Sequence, residues 1–194
     1  MDLSFRETNS GVGNYYCFDK GMPEHKVDQH RASISAAGVL PSDGTVGEGA
    51  VDTNVRRAKC VFIESARFGE IYSCVRELVE AANRSCFKFD ITDMAERIQY
   101  TEYHETDRGF YDWHVDMTPA KSRRKLTIVV QLSDPSEYDG GELQVRTGML
   151  EPVTIGKNKG LAVVFPTFLL HRVTPVTRGV RRSLVAWIDG PPFR

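Results

Sequence analysis

The second half of the chain constrains the fold most, because from about Glu96 it breaks into short apolar runs separated by turn residues. Segments rich in Gly, Pro and Asp, at 134–141, 156–160 and 174–179, divide these runs. No helical period persists there, so the pattern predicts an all-β sandwich or barrel. The runs are RIQYTEY, FYDWHVDM, RKLTIVVQLS, GELQVR, EPVTI, LAVVF and RRSLVAWI.

The first half is mixed, with two predicted helices at 23–37 and 69–83 and a short strand at 58–63. In the second helix, apolar residues recur at i, i+3 and i+4, which gives one stripe that needs a sheet to cover. The Gly-rich segment 38–52 is predicted to be a loop, either a lid or a disordered surface segment. The fold class expected is therefore α+β, mainly β: a double-stranded β-helix (jelly roll) core buttressed by N-terminal helices. Residues 1–194 are predicted to form a single domain, with a support region at 1–95 and the core at 96–194.

Composition excludes several function classes. Lys and Arg total 25 against 26 Asp and Glu, so no global charge steers the protein to nucleic acid or anionic membrane. The four cysteines show no CxxC pair, and free thiols in a reducing cytoplasm are expected. The N-terminus lacks a signal-peptide pattern, and no apolar run reaches the length of a membrane helix. A cytoplasmic protein is predicted, with its oligomeric state left open.

A candidate metal site begins in FYDWHVDM, where His114 and Asp116 are two residues apart. In a strand, residues i and i+2 point the same way, so imidazole and carboxylate would project together. His171, expected just after an apolar strand, supplies a third ligand. Two His and one carboxylate form the facial triad of non-haem Fe(II) sites, although a zinc hydrolase can use the same ligands. Of the other histidines, His25 and His30 are predicted to be solvated on a polar helix, and His104 to lie in a loop.

The run RRSLVAWI, ten residues after His171, predicts a receptor for a small carboxylate. In a strand, Arg181, Ser183, Val185 and Trp187 would share one face, and Arg182 would face away. A guanidinium can pair with a carboxylate through two charge-assisted hydrogen bonds, and a neighbouring hydroxyl adds a third. Arg181 is therefore expected to point inward. By contrast, the cluster Lys121, Arg123 and Arg124 is interpreted mainly as a solvated basic turn, and a preference for acidic substrates is the alternative.

Taken together, HxD, a later His and an Arg ten residues on resemble the 2-oxoglutarate- and Fe(II)-dependent dioxygenases. The stretches LSDPSEYDGGELQV and VVFPTFLLHRVTPVTRGVRRSLVAWI are similar to the prolyl 4-hydroxylase-like branch, in particular to the bacterial and phage PKHD-type hydroxylases. The resemblance covers about residues 95–194. It implies Fe(II), 2-oxoglutarate and O2 as cofactor and cosubstrates, with ascorbate as a possible reductant.

The resemblance also implies roles for individual residues. His114, Asp116 and His171 would bind Fe(II), and Arg181 would pair with the C5 carboxylate of 2-oxoglutarate. The expected further cosubstrate contacts are Ser183, Tyr103 and Gln131, and the expected substrate contacts are Tyr111 and Trp187.

The activity implied is hydroxylation of an unactivated C–H bond, with release of succinate and CO2, on a peptidyl residue such as proline. Alternatives are a hydroxylase of free amino acids or other small molecules, a zinc hydrolase, and a non-enzymatic module that binds metal or 2-oxoglutarate. A zinc hydrolase would leave Arg181 and Ser183 without a role.

Overall fold

The computed structural model describes residues 14–38, 40–46, 49–148 and 151–192, and its regular structure consists mainly of short strands. The two α-helices are α1 (Glu24–Ala36) and α2 (Ser65–Ala82), and a π-helical turn (Asn83–Phe87) extends α2. The strands are β1 (Tyr16–Phe18), β2 (Ser42–Asp43), β3 (Arg56–Arg57), β4 (Lys59–Ile63), β5 (Ile98–His104), β6 (Phe110–His114), β7 (Arg124–Gln131), β8 (Tyr138–Gly140), β9 (Leu143–Arg146), β10 (Val153–Thr154), β11 (Ala162–Pro166), β12 (Leu170–Val173) and β13 (Val176–Asp189).

The strands form two antiparallel sheets that carry the predicted jelly-roll core. The larger sheet has the order β1-β11-β7-β13-β5-β4-β2, with β8 also paired to β13. The smaller sheet has the order β10-β9-β12-β6-β3. Strands that precede residue 96 pair with strands that follow it in both sheets, since β4 pairs with β5 and β3 pairs with β6.

Strand β7 shows why the core strands read as almost continuous apolar runs: all eight of its residues are buried. Leu126, Ile128 and Val130 pack in the cluster beneath the helices. Their neighbours face the space between the sheets, where Val129 joins a second apolar cluster and Thr127 lines a cavity. A strand covered on both faces has no solvent side, so it lacks the polar alternation of a half-exposed strand.

The helices cover the outer face of the larger sheet. The apolar stripe of α2 is buried there as predicted, although the helix begins at Ser65, four residues before its predicted start. Helix α1 matches its prediction closely, but the expectation that His30 is solvated is wrong: its side chain is 6% exposed. His30 lies in line with Val27 and Ile34 on the buried face of α1, and this burial lowers its pKa.

Part of the Gly-rich segment 38–52 is regular structure, because Ser42–Asp43 pairs with β4 at the edge of the larger sheet. Residues 39, 47 and 48 lie outside the described part of the chain. All four cysteines are described and all are free. Within the described ranges, every helix is too short or too polar to span a bilayer.

Candidate metal centre and cosubstrate pocket

The three predicted ligands meet between the sheets, at one end of the smaller sheet. His114 ends β6, and His171 lies directly opposite it on β12. His171 follows the apolar strand β11 and lies within the next strand, β12. Their ligand atoms and a carboxylate oxygen of Asp116 all lie within 4.8 Å of one another.

Asp116 reaches this position differently from the sequence prediction. Strand β6 ends at His114, so Asp116 is not two residues along the same strand. Instead, its backbone N–H donates to the carbonyl of Thr167 at 2.8 Å. Arg124 donates from Nη1 to the Asp116 carbonyl oxygen at 3.0 Å, and the Thr127 hydroxyl donates to Oδ2 at 2.6 Å. These contacts turn the chain and fix the carboxylate toward the two imidazoles.

Hydrogen bonds to backbone carbonyls orient both imidazoles. His114 Nδ1 lies 2.7 Å from the carbonyl oxygen of Asp112, and His171 Nδ1 lies 2.8 Å from that of Leu169. Because a carbonyl can only accept, each Nδ1 carries the proton and each Nε2 keeps a free lone pair. The Nε2 atoms face Asp116, at 3.8 Å from Oδ1 and 3.5 Å from Oδ2. Metal-binding histidines are commonly oriented by such bonds to the second ring nitrogen.

Electrostatics keep the ligands in the protonation states that bind a metal. Burial, together with the nearby His171, lowers the pKa of His114 to about 3, so that imidazole is neutral at pH 7. Burial alone would raise the pKa of Asp116, but polar contacts, including the hydrogen bond from the Thr127 hydroxyl, outweigh burial and hold that pKa below its usual range. A neutral imidazole and an ionised carboxylate are the forms that ligate.

The residues present therefore fit a divalent metal such as Fe(II). Two imidazole nitrogens and one carboxylate oxygen converge on one side, and they border a cavity of about 520 Å³. Such a donor set suits Fe(II), and His114, Asp116 and His171 would hold it beside the cavity.

Most of the other predicted site residues line the same cavity. They are Tyr103, Tyr111, Arg181, Ser183 and Trp187. The ring of Tyr111 stacks on His114, with centroids 3.5 Å apart and 14° between planes. Arg181 is 3% exposed, and its guanidinium carbon lies 5.5 Å from the ring centroid of Tyr103. Gln131 faces inward too, but it lines a smaller cavity beside Arg181.

The register of β13 gives its two adjacent arginines different surroundings. Arg181 points into the cavity, whereas Arg182 is half-buried on the other face and donates to Glu102 at 3.0 Å. Leu184 belongs to the apolar cluster under the helices. His104, expected in a loop, is the last residue of β5, and its Nε2 lies 2.9 Å from Glu102 Oε2.

Sequence analysis missed Arg124. This residue is buried, and the expectation that it belongs to a solvated basic turn is wrong. Its guanidinium binds Glu96 at 2.6 and 2.7 Å and lies 4.1 Å from the ring of Trp187. The local sequence could not identify this role, because Glu96 is 28 positions away.

Sequence analysis also missed Arg56, a second buried arginine that lines the cavity. Its Nη1 donates to the carbonyl of Thr45 at 2.9 Å, and its Nη2 lies 2.9 Å from Cys60 Sγ. Its guanidinium carbon lies 4.7 Å from the ring centroid of Tyr111. The sequence alone does not show which of the two adjacent arginines, Arg56 or Arg57, faces inward.

Comparison with known proteins agrees with this fold and identifies the family. Residues 98–189 match the profile of the 2OG-Fe(II) oxygenase superfamily. A PKHD-type hydroxylase of Maricaulis maris is 33% identical over 170 residues, which cover 87% of this chain and 74% of that protein. The chain therefore belongs to the 2OG-Fe(II) oxygenase superfamily, a family of iron- and 2-oxoglutarate-dependent dioxygenases. Among its relatives it is similar to the PKHD-type hydroxylases.

Other curated relatives match over a shorter stretch. A PKHD-type hydroxylase of Shewanella frigidimarina is 38% identical over 97 residues, which span 46% of this chain and 42% of the relative. For that relative, the match spans less than half of either protein.

Solved structures with the same fold include two prolyl hydroxylases. A prolyl-4-hydroxylase of Pseudomonas putida superposes with a TM-score of 0.73 at 21% identity, over 91% of this chain and 92% of that one. A Trichoplax adhaerens prolyl hydroxylase, in complex with a hypoxia inducible factor peptide fragment, gives 0.76 at 18% identity, over 91% and 84% of the chains. At these identities the likeness concerns the fold.

Proposed function

We propose that this protein hydroxylates an unactivated C–H bond of a peptidyl residue, most plausibly proline, and converts 2-oxoglutarate and O2 into succinate and CO2. One observation carries the proposal: the His114, Asp116 and His171 cluster and the Arg181 guanidinium border the same cavity. A set of iron ligands and a carboxylate receptor in one pocket suit 2-oxoglutarate, which would contact both the metal and the arginine. Membership of the superfamily leaves the zinc hydrolase without support.

In this proposal the protein's own side chains bind, orient and exclude water. His114, Asp116 and His171 would hold Fe(II), which together with 2-oxoglutarate and O2 would supply the oxidising chemistry. Arg181, with Ser183 beside it, would receive the distal carboxylate of 2-oxoglutarate. Both residues are nearly inaccessible to water, at 3% and 1% exposed, and a charge pair is stronger when water is excluded. Tyr103 and Gln131 are proposed to border the cosubstrate.

A peptidyl substrate is supported by the relatives and by the form of the cavity. The similar proteins are named PKHD-type and prolyl hydroxylases, and one of the latter was solved with a peptide fragment. Beyond the candidate metal and cosubstrate residues, the cavity is bordered by Thr45, Gly49 and Phe62 and by Trp187. Proline fits such a groove because its fixed φ lowers the entropy lost on binding. Tyr111 and Trp187 are the proposed substrate contacts.

The proposal extends to the protein's setting. Ascorbate is proposed as a reductant that maintains the iron as Fe(II). A reducing, cytoplasmic location is supported by four cysteines that are all free. We also propose that residues 1–194 act as one domain, because strands from both halves share each sheet.

Metal titration of the apo protein tests the ligand assignment. His171→Ala removes one of three ligands, so we expect divalent metal affinity to fall by more than about 100-fold, the upper end of outer-shell effects. His25→Ala, on the exposed side of α1, is the control and should bind metal normally. An unchanged affinity in His171→Ala would remove the site assignment.

The substrate class is tested with Fe(II)-loaded protein, 2-oxoglutarate and air. Proline-containing peptide libraries and free amino acids are offered separately, and mass spectrometry looks for the gain of one oxygen atom. Succinate release is followed in parallel. Oxygen gain in peptides supports the proposal, whereas gain confined to free amino acids or other small molecules would overturn the peptidyl assignment and leave the dioxygenase class intact.

A further inference from the structure

Tyr138 lies beside Arg181 at the deep end of the site, although sequence analysis gave it no role. It is the first residue of β8, it pairs in register with Gly179 of β13, and it is 1% exposed. Together with Gln131 and Arg181 it lines the small cavity. Gly141 permits this packing, because a Cβ there would lie 3.1 Å from Arg181 Cδ and 3.2 Å from Tyr138 Cε2.

The hydroxyl oxygen of Tyr138 receives a hydrogen bond from Gln131, which donates from Nε2 at 3.0 Å. The Arg181 side chain lines the same small cavity. The orientation of the Gln131 amide is defined independently, because the same Nε2 also faces the carbonyl oxygen of Ser133 at 3.4 Å. A carbonyl accepts only, so the nitrogen of the amide must be on that side.

This bond leaves the hydroxyl hydrogen of Tyr138 without an acceptor in the described part of the chain. A tyrosine hydroxyl can accept and donate at the same time, and the Gln131 nitrogen is a donor that offers no acceptor for that hydrogen. The third polar group nearby, Lys157 Nζ, lies 4.8 Å from the ring centroid and is also a donor. Burial raises the pKa of Tyr138, so the hydroxyl keeps its hydrogen at neutral pH. A buried O–H group without an acceptor is unfavourable.

The missing partner must therefore accept a hydrogen bond, and the charges around it indicate an anion. Arg181 and Lys157 are both cationic, and although the acidic Glu142 lies near Tyr138, no carboxylate in the described ranges forms an ion pair with Arg181. A carboxylate oxygen that approaches Arg181 would find one guanidinium and one hydroxyl donor side by side.

We propose that Tyr138 donates its hydroxyl hydrogen to the distal carboxylate of 2-oxoglutarate, and that Gln131 is a positioning residue that fixes the Tyr138 oxygen. This inference rests on the proposed function, in which Arg181 binds that carboxylate. The Tyr138 hydroxyl would then form its hydrogen bond only with a cosubstrate that has a second carboxylate. Selectivity for a dicarboxylate thus depends on a residue from β8 as well as on β13.

Binding of two oxo acids to Zn(II)-loaded protein, measured by calorimetry, tests the proposal. Tyr138→Phe removes only the hydroxyl, and we expect the Kd for 2-oxoglutarate to rise about tenfold, as for a lost hydrogen bond to a charged group. The Kd for 2-oxopentanoate, which has a methyl group in place of the distal carboxylate, should not change. Gln131→Leu should weaken 2-oxoglutarate binding in the same selective way, and adding it to Tyr138→Phe should have little further effect.

Tyr100→Phe is the matched control, because Tyr100 is also a buried tyrosine of the larger sheet but donates to Glu102 at 2.8 Å, away from the cavity. It should bind both oxo acids normally, and thermal melting checks that each variant is folded. Unchanged 2-oxoglutarate binding in a folded Tyr138→Phe, or an equal loss for both oxo acids, would overturn the proposal alone. If the unmodified protein binds no 2-oxoglutarate, the proposed function fails with it.

Discussion

Thr127 shows how a single uncharged residue can hold the side chain of a proposed metal ligand, Asp116, in place. Its hydroxyl donates to Asp116 Oδ2 at 2.6 Å from strand β7 of the larger sheet, where its side chain is fully buried. Because Asp116 lies beyond the end of β6, it lacks a strand partner of its own to fix its side chain. The Thr127 hydroxyl provides that restraint.

We expect Thr127→Val, which keeps the shape but removes the hydroxyl, to lower metal affinity by about 10-fold, as for other second-sphere partners. Thr154→Val, at an exposed edge position, is the matched control. Metal titration of both apo proteins checks the result. Equal affinities would mean that the backbone contacts of Asp116 are sufficient.

The adjacent arginines of β13 give a second test at the residue scale. Arg181→Ala should weaken 2-oxoglutarate binding by about 2–5 kcal/mol, because it removes a desolvated charged partner. Arg182→Ala removes an ion pair with Glu102 on the opposite face and should leave cosubstrate binding nearly unchanged. Calorimetric titration of 2-oxoglutarate compares them. The reverse ranking would contradict the assignment of Arg181 as the carboxylate receptor.

At the scale of elements, Glu96 ties the start of β7 to the start of β5 through Lys121 and Arg124. Burial alone would raise the pKa of Glu96, but hydrogen bonds from the two cations outweigh it and hold that pKa below its ordinary value. A carboxyl group with a lowered folded-state pKa contributes stability above its unfolded pKa, near 4.3, and loses it as pH falls through the folded value.

Glu96→Gln should therefore melt at a lower temperature than the unmodified protein at pH 7, and the difference should shrink toward zero below about pH 4. Glu64→Gln is the control, because its pair with Arg97 is exposed and surface pairs contribute only about 0–1 kcal/mol. The test is to measure the melting temperatures of both variants and of the unmodified protein across this pH range. A difference that persists in acid would show that the carboxylate charge is not responsible.

A contact could be predicted from the sequence where it depends on a local pattern, and could not where it depends on partners far along the chain. The alternation in RRSLVAWI is a local property, and it predicted which side of β13 carries Arg181 and Leu184. The burial of His30 and Arg124 depends on partners far along the chain, so no local sequence pattern predicted it. The same holds for Asp116, which was expected on a strand and reaches the site through Thr167 and Arg124.

At the scale of the whole molecule, Gly160 is one of the points where the N-terminal segment joins the larger sheet, in addition to the pairing of β1 with β11. Its backbone accepts from Met22 N at 2.9 Å and donates to the carbonyl of Gln131 at 2.8 Å. Its φ is +81°, and a Cβ would collide with the carbonyl oxygen of Met22. Both the backbone conformation and the close approach therefore require glycine.

Gly160→Ala should reduce the free energy of unfolding by more than the roughly 1–3 kcal/mol expected for backbone strain alone. Gly38→Ala is the matched control: its φ is +64°, but a Cβ there would meet nothing within 4 Å. Chemical denaturation of both variants separates strain from collision. Similar losses in both would mean that the Met22 segment can move aside without cost.

The last described strand, β13, occupies an interior position of the larger sheet, between β7 and β5. During synthesis, β5 and β7 are made before β13. Until β13 pairs with them, the edge that each strand presents to β13 is unpaired and prone to aggregation. Pairings this distant in sequence also form slowly, because a long loop must close first. The same segment carries Arg181, so the ability to bind cosubstrate would arrive only when the sheet closes. A ligand specific for that pocket would therefore report completed folding of the newly made chain.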